Sequence, residues 1–173
     1  MASIGHVAVG MAAARAYDPA SPRRWTSFAL WSALSLLPDI DVAGFLRGVP
    51  YGAAWGHRGA THSLTLALAG GIAVGAMARW RGRSFTRAAV FASLVLASHG
   101  LLDAMTDGGL GVALFWPFTA TRYFAPWRPI AVAPIGPDFF TPYGAVVACS
   151  ELVLFAPLLV FALWPRERRL AAG

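Results

Sequence analysis

The chain has 173 residues, 57% hydrophobic and only 13% charged, and carries a net charge of +6. Charged residues stand at about half the roughly 25% of an average soluble domain, too few to cover a water-facing surface. The single Cys149 excludes an intrachain disulfide framework and Gly shows no collagen-like period, which leaves an integral membrane protein.

Residues 3–17 are rich in Ala and Gly and predict a short, buried or partly inserted helix. No basic run precedes them, so a cleaved signal peptide is not expected. Residues 25–46, 61–80, 87–107 and 143–164 are each about 20 residues long, enough to cross a hydrocarbon core of roughly 30 Å. Within 61–80, Gly70, Gly71 and Gly75 allow close helix packing. Residues 108–142 differ, with Pro117, Pro126, Pro129, Pro134, Pro137 and Pro142 among many aromatics. No continuous span fits there. An ordered external excursion is expected, with a short re-entrant piece around Leu110–Phe118 and the role of a lid. The predicted fold is all-α: one domain over 1–173, a polytopic membrane bundle of four spanning helices plus a short N-terminal helix.

Every basic residue is Arg. In a soluble domain this excess would suggest nucleic acid. Here the Arg lie beside the hydrophobic runs, where topology determinants belong, which argues against nucleic acid and for surrounding membrane lipids. Arg15, Arg23, Arg24, Arg79, Arg81, Arg83, Arg87, Arg166, Arg168 and Arg169 fall on one side; Arg47, Arg58, Arg122 and Arg128 fall on the other. The positive-inside rule makes the first side cytoplasmic. Trp25, Trp80 and Trp164 then sit at inner ends, and Trp55 and Trp116 outside.

His6, His57, His62 and His99, with Asp39, Asp41, Asp103 and Asp107, all fall at or near the outer helix ends of this topology. A lone His on an apolar face is usually a hydrogen-bonded core residue. A whole set of His and Asp at one level, in a medium where each ionised Asp costs about 2.5–3.5 kcal/mol, points instead to metal. His99, Asp103 and Asp107 at i, i+4 and i+8 share one helical face. His57 and His62 are five apart, about 140° around a helix, so His57 belongs on a loop, with Thr61 an N-cap and His62 in the first turn. Asp39 and Asp41 follow Pro38, which disturbs the helix. They point the same way only if the stretch is extended or unwound. One could bridge two metals while the other orients a His. Glu151, about 12 Å into the last helix by rise arithmetic, needs a partner. Arg122 or Arg128 from the excursion is the expected one, with the metal cluster or a neighbouring helix as alternatives.

Gly5-His6, Pro38-Asp39-Ile40-Asp41, His57-Arg58-Gly59-Ala60-Thr61-His62-Ser63 and Ser98-His99-Gly100-Leu101-Leu102-Asp103, then Thr106, Gly108 and Trp116-Pro117-Phe118, carry a resemblance. Over about residues 5–118 the chain resembles the YdjM-like membrane-bound metal-dependent hydrolases. The resemblance implies an inner-membrane protein whose hydrolase activity needs divalent metal. It also implies kinship with the all-helical zinc-dependent phospholipase C and single-strand nuclease group. Carried over by motif, His6, Asp39 or Asp41, His57, His62, His99 and Asp103 are the metal-ligand candidates.

The residues fit that chemistry independently. Mixed His and carboxylate ligands suit Zn²⁺, in one to three ions, ahead of Mn²⁺ or iron. Arg58 could hold a phosphate oxygen, and Asp107 or the non-ligating member of Asp39 and Asp41 could act as general base. No GxSxG, Ser-Lys pair or HExxH occurs. The expected function is metal-dependent hydrolysis of a phosphoester, small or lipid-linked, at the outer side of the cytoplasmic membrane. A metal transporter or sensor, and a non-catalytic protein with a structural metal, are the alternatives.

Overall fold

Residues 3–165 are described by the structure, a computed structural model. The apolar runs fold as α1 (Ser3–Tyr17), α2 (Arg24–Leu36), α3 (Leu64–Trp80), α4 (Phe85–Ala104), α5 (Pro142–Leu154) and α6 (Ala156–Leu163). Among the described residues there is no strand, only isolated bridges at Thr106–Ile130 and Val112–Tyr123. The all-helical expectation therefore holds.

Two candidate spans, or three with a bent pair, stand among the described residues. Arg24–Arg47 and Phe85–Ala104 are long and apolar enough to cross a membrane, and α5 with α6 makes a third span if the pair is taken as one. Those two are bent by 62° at Phe155. Pro157, in the first turn of α6, cannot donate to the helix before it, and its ring would clash with the carbonyl of Val153. At α3 the apolar helix is shorter than the expected 61–80. Ser63 is its cap, accepting from Leu66 N at 3.2 Å, so Thr61 is released from the capping role expected of it.

The expected helix over 25–46 changes winding midway. At Leu37 it tightens into a 3-10 helix, Leu37–Arg47, with Pro38 in its first turn. Asp39 and Asp41 therefore sit on an overwound segment rather than an extended or unwound one.

Small residues let the helices approach closely. A Cβ on Gly71 would lie 2.7 Å from the Ala89 carbonyl of α4, so the α3–α4 pair depends on its absence. At the end away from the His and Asp residues, Arg15 donates to the carbonyls of Ala162 and Trp164, and Arg87 to that of Tyr17. These arginines close the carbonyl ends of α1 and α6, where cations suit the helix dipole. Arg166, Arg168 and Arg169 lie outside the described residues.

The 108–142 excursion is ordered, but its expected re-entrant piece is absent. Leu110–Phe118 forms turns, with Val112, Ala113 and Leu114 buried. Val112 pairs with Tyr123, Ala113 N donates to the Arg58 carbonyl, and Leu114 O accepts from Leu64 N. The buried apolar side chains are used against protein, which is why no membrane-dipping helix forms here.

Candidate metal centre

Three segments bring the ligands to one level. The 3-10 segment supplies Asp39 and Asp41, the turn before α3 supplies His57 and His62, and the end of α4 supplies His99 and Asp103. Gly100 makes the join possible, because a Cβ there would run into the His62 carbonyl. Gly100→Ala is therefore expected to destabilise the fold by about 1–3 kcal/mol and to lower metal content. Thermal unfolding and elemental analysis of the purified variant check this.

Ring orientations are set by the nitrogen each His turns away from the centre. His99 Nδ1 donates to the Ser35 carbonyl at 2.7 Å. That carbonyl is available because Pro38, three residues on, has no N–H to give it in the 3-10 register. Asp41 anchors the other two rings. Its Oδ1 lies 2.8 Å from His57 Nδ1, and its Oδ2 accepts from the Thr61 hydroxyl at 2.6 Å and sits 3.2 Å from His62 Nδ1. With the Thr61 proton committed to Asp41, both neighbours of His62 Nδ1 are acceptors, so this nitrogen carries the ring proton.

Both inward nitrogens then present lone pairs. His62 Nε2 and His99 Nε2 face each other at 3.1 Å, which repels unless a proton or a cation lies between them. Asp39 Oδ1 is 3.4 Å from the first and 3.3 Å from the second, and Asp103 Oδ2 is 3.5 Å from His62 Nε2. Ligands about 2.0 Å from a tetrahedral metal stand roughly 3.3 Å from one another. The four groups therefore fit one cation, and both oxygens of Asp39 are buried with no hydrogen-bond partner among the described residues.

The remaining candidates surround this core. Asp41, His57 and His62 form a second group able to hold an ion. His6 stacks on His99 with centroids 3.7 Å apart, and its Nε2 lies 3.5 Å from Asp103 Oδ1. Neither ring nitrogen of His6 has a hydrogen-bond partner among the described residues. Burial pulls the His62 imidazolium down, but the carboxylates of Asp103, Asp39 and Asp41 outweigh it and raise its pKa to about 10. Positive charge is strongly favoured at this position, whether it is a proton or a metal.

The chain matches the model of the YdjM inner membrane protein family over residues 1–169. It belongs to that family. It is also 44% identical over 140 residues to "Inner membrane protein YbcI" of Escherichia coli (strain K12), a match covering 78% of this chain and 81% of that protein. No solved structure matches it.

In this YdjM-family chain, two of the expected catalytic residues sit differently from the sequence reading. Asp107 is off the His99–Asp103 face, because α4 ends at Ala104. It is exposed, and its Oδ1 accepts from Val132 N at 2.8 Å, tying down the excursion. Arg58 is fully buried at φ 60, with Nε 3.0 Å from Asp103 Oδ2 and NH1 donating to the Gly108 carbonyl. Asp41, the third, is engaged by His57, Thr61 and His62.

Glu151 does not meet Arg122 or Arg128. Its Oε2 accepts from Ile4 N at 2.7 Å and Gly5 N at 3.1 Å, capping α1 just before His6. Arg122 instead donates to the carbonyls of His57, Tyr51 and Ala53, and Arg128 lies over the Phe124 ring. Glu151→Ala leaves the buried Gly5 N–H and the half-buried Ile4 N–H without an acceptor. A loss of about 1–3 kcal/mol is expected, read as a lower unfolding midpoint in detergent. Sequence reasoning missed Ser35 and Gly100 as parts of the site. The Pro38 spacing was a signal for the first; nothing local marked the second.

Proposed function

We propose that this protein is a divalent-cation-dependent hydrolase acting on a phosphoester at the outer side of the inner membrane, with Zn²⁺ preferred to Mn²⁺. The observation that supports this most is the convergence of two tautomer-fixed imidazole nitrogens with the Asp39 and Asp103 carboxylates. Asp39, His62, His99 and Asp103 would hold the principal ion, with His6 and His57 extending the site. A bound cation of this kind would polarise a phosphoryl oxygen and make a water acidic enough to attack near neutral pH. The chain's own groups orient and balance this centre. Asp41 fixes the His57 and His62 rings, and Arg58 offsets the charge of Asp103.

We infer that α3 also crosses the membrane alongside α4, giving four spans. Its 17 residues rise about 26 Å, close to a core of roughly 30 Å. The site then faces outward. A reporter fused after Arg83 is expected to read cytoplasmic, and one inserted near Pro134 external; the reverse pattern moves the site to the cytoplasmic face.

A structural-metal reading has one observation in its favour. Four protein ligands alone fill a tetrahedral site, as in non-catalytic zinc centres. Elemental analysis of purified protein, followed by a screen of phosphomonoesters and phosphodiesters with and without chelator, separates the two. Chelator-sensitive turnover supports the hydrolase. Tightly bound metal with no turnover of any ester supports the structural role.

A further inference from the structure

At the end of the bundle away from the metal centre, a cavity of about 580 Å³ lies between the start of α2 and the end of α3. Arg23 lines it from the first of these, and Arg81 and Arg83 from the turn that joins α3 to α4. Their guanidinium groups form no hydrogen bond or ion pair among the described residues. Other arginines at this end are engaged: Arg15 and Arg87 by carbonyls, Arg24 by the Trp25 ring. Among the described residues Asp18 is the one acidic group on the cavity wall, and it pairs with none of the three arginines. Two positive charges are left in excess.

This charge is placed against local preference. Arg23 is the N-cap of α2, and a cation at the positive end of a helix dipole is unfavourable unless an anion offsets it. On the facing wall Arg81 and Arg83 flank Gly82, which turns the chain at φ 71 and keeps two like charges together. Toward the middle of the bundle the walls become apolar, with Leu30 and Leu34 on α2 and Val74 and Met77 on α3. Trp25 and Trp80, chain neighbours of the arginine level, are 64% and 84% exposed. Exposed Trp on a membrane protein belongs at the boundary between headgroups and hydrocarbon. A ligand in this cavity therefore meets guanidinium groups at one end and aliphatic side chains at the other.

We propose that this cavity binds the headgroup phosphate of an anionic phospholipid, from the leaflet that the positive-inside rule makes cytoplasmic. The arginines select the charge. A zwitterionic lipid brings its own ammonium group and leaves the positive excess uncompensated. The aliphatic walls select the lipid, because a soluble phosphate satisfies the arginines but gives Leu30, Leu34, Val74 and Met77 nothing to pack against. The site lies apart from the metal centre and does not depend on the hydrolase reading.

The test places the full chain in nanodiscs of equal phosphatidylglycerol and phosphatidylcholine and counts, by native mass spectrometry, the lipid retained after transfer to detergent. Phosphatidylglycerol is expected to be retained at least tenfold over phosphatidylcholine. Arg23→Gln and the double variant Arg81→Gln with Arg83→Gln should each lower that retention at least fivefold. Arg79→Gln, at the same end but outside the cavity, should change it less than twofold. Val74→Trp fills the apolar wall without touching a charge, and should also lower retention at least fivefold. Unchanged metal content in every variant shows that the bundle has folded. Equal retention of the two lipids would overturn the proposal. So would an Arg79→Gln loss as large as that of the cavity variants, which would mean diffuse attraction to a basic surface. Indifference to Val74→Trp, or displacement of the lipid by millimolar inorganic phosphate, would assign the arginines to a soluble anion and overturn it as well.

Discussion

His99→Gln is expected to remove at least one equivalent of bound metal per chain, whereas Asp41→Asn should leave the ion of the Asp39, His62, His99 and Asp103 group in place with its affinity lowered about 10–100-fold. The two differ because His99 aims its Nε2 into the centre, while Asp41 acts on the rings of His57 and His62 from behind. An amide at position 41 still accepts from one ring but can no longer serve as a charged acceptor for both and for Thr61. Competition titration with a fluorescent chelator reads affinity, and elemental analysis reads stoichiometry. Full retention of metal in His99→Gln would show that the convergent nitrogens do not hold it.

The second large effect is on stability. Arg58 and Asp103 are both fully buried, and Nε approaches Oδ2 to 3.0 Å. Removing either charge leaves the other in a low-dielectric interior, which costs about 3–5 kcal/mol. Arg58→Met and Asp103→Asn should each lower stability by that amount, and the double variant by clearly less than the sum. Arg58 also holds φ 60, a backbone conformation that costs a non-glycine residue about 1–3 kcal/mol and that surrounding contacts must sustain. Arg58→Gly relieves that strain but empties a fully buried side-chain site as well as removing the charge, so it should destabilise at least as much as Arg58→Met. Unfolding in mixed micelles across the four variants checks the pattern.

Much of the centre is legible in the sequence because its ligands occupy positions that helical periodicity can place. His99 and Asp103 lie one turn apart on α4, and the structure sets both against His62. Extending that series to Asp107 goes wrong because the helix stops at Ala104, where Met105 and Thr106 turn back onto its last carbonyls. Pro38 correctly marks a break in winding, but not its sense. Overwinding, rather than unwinding, turns Asp39 toward His62 and His99, and Asp41 toward His57 and Thr61. The partner of Glu151 is illegible for another reason. Backbone N–H groups at a helix start look alike in any sequence, and only tertiary packing places α5 beside Ile4 and Gly5. The last helix reads as continuous because its hydropathy is unbroken, although Pro157 breaks its hydrogen bonding.

The grip of Glu151 on Ile4 and Gly5 has a consequence for biosynthesis. A chain inserted from its N-terminus presents His6 to the membrane long before residue 151 has been made. Until α5 arrives, the first turn of α1 lacks its acceptor. The His6 ring can meet His99 once α4 is in place, but the turn that carries it gains its acceptor only when the segment with Glu151 is inserted. A product truncated before residue 151 would thus carry the ring on an uncapped helix start.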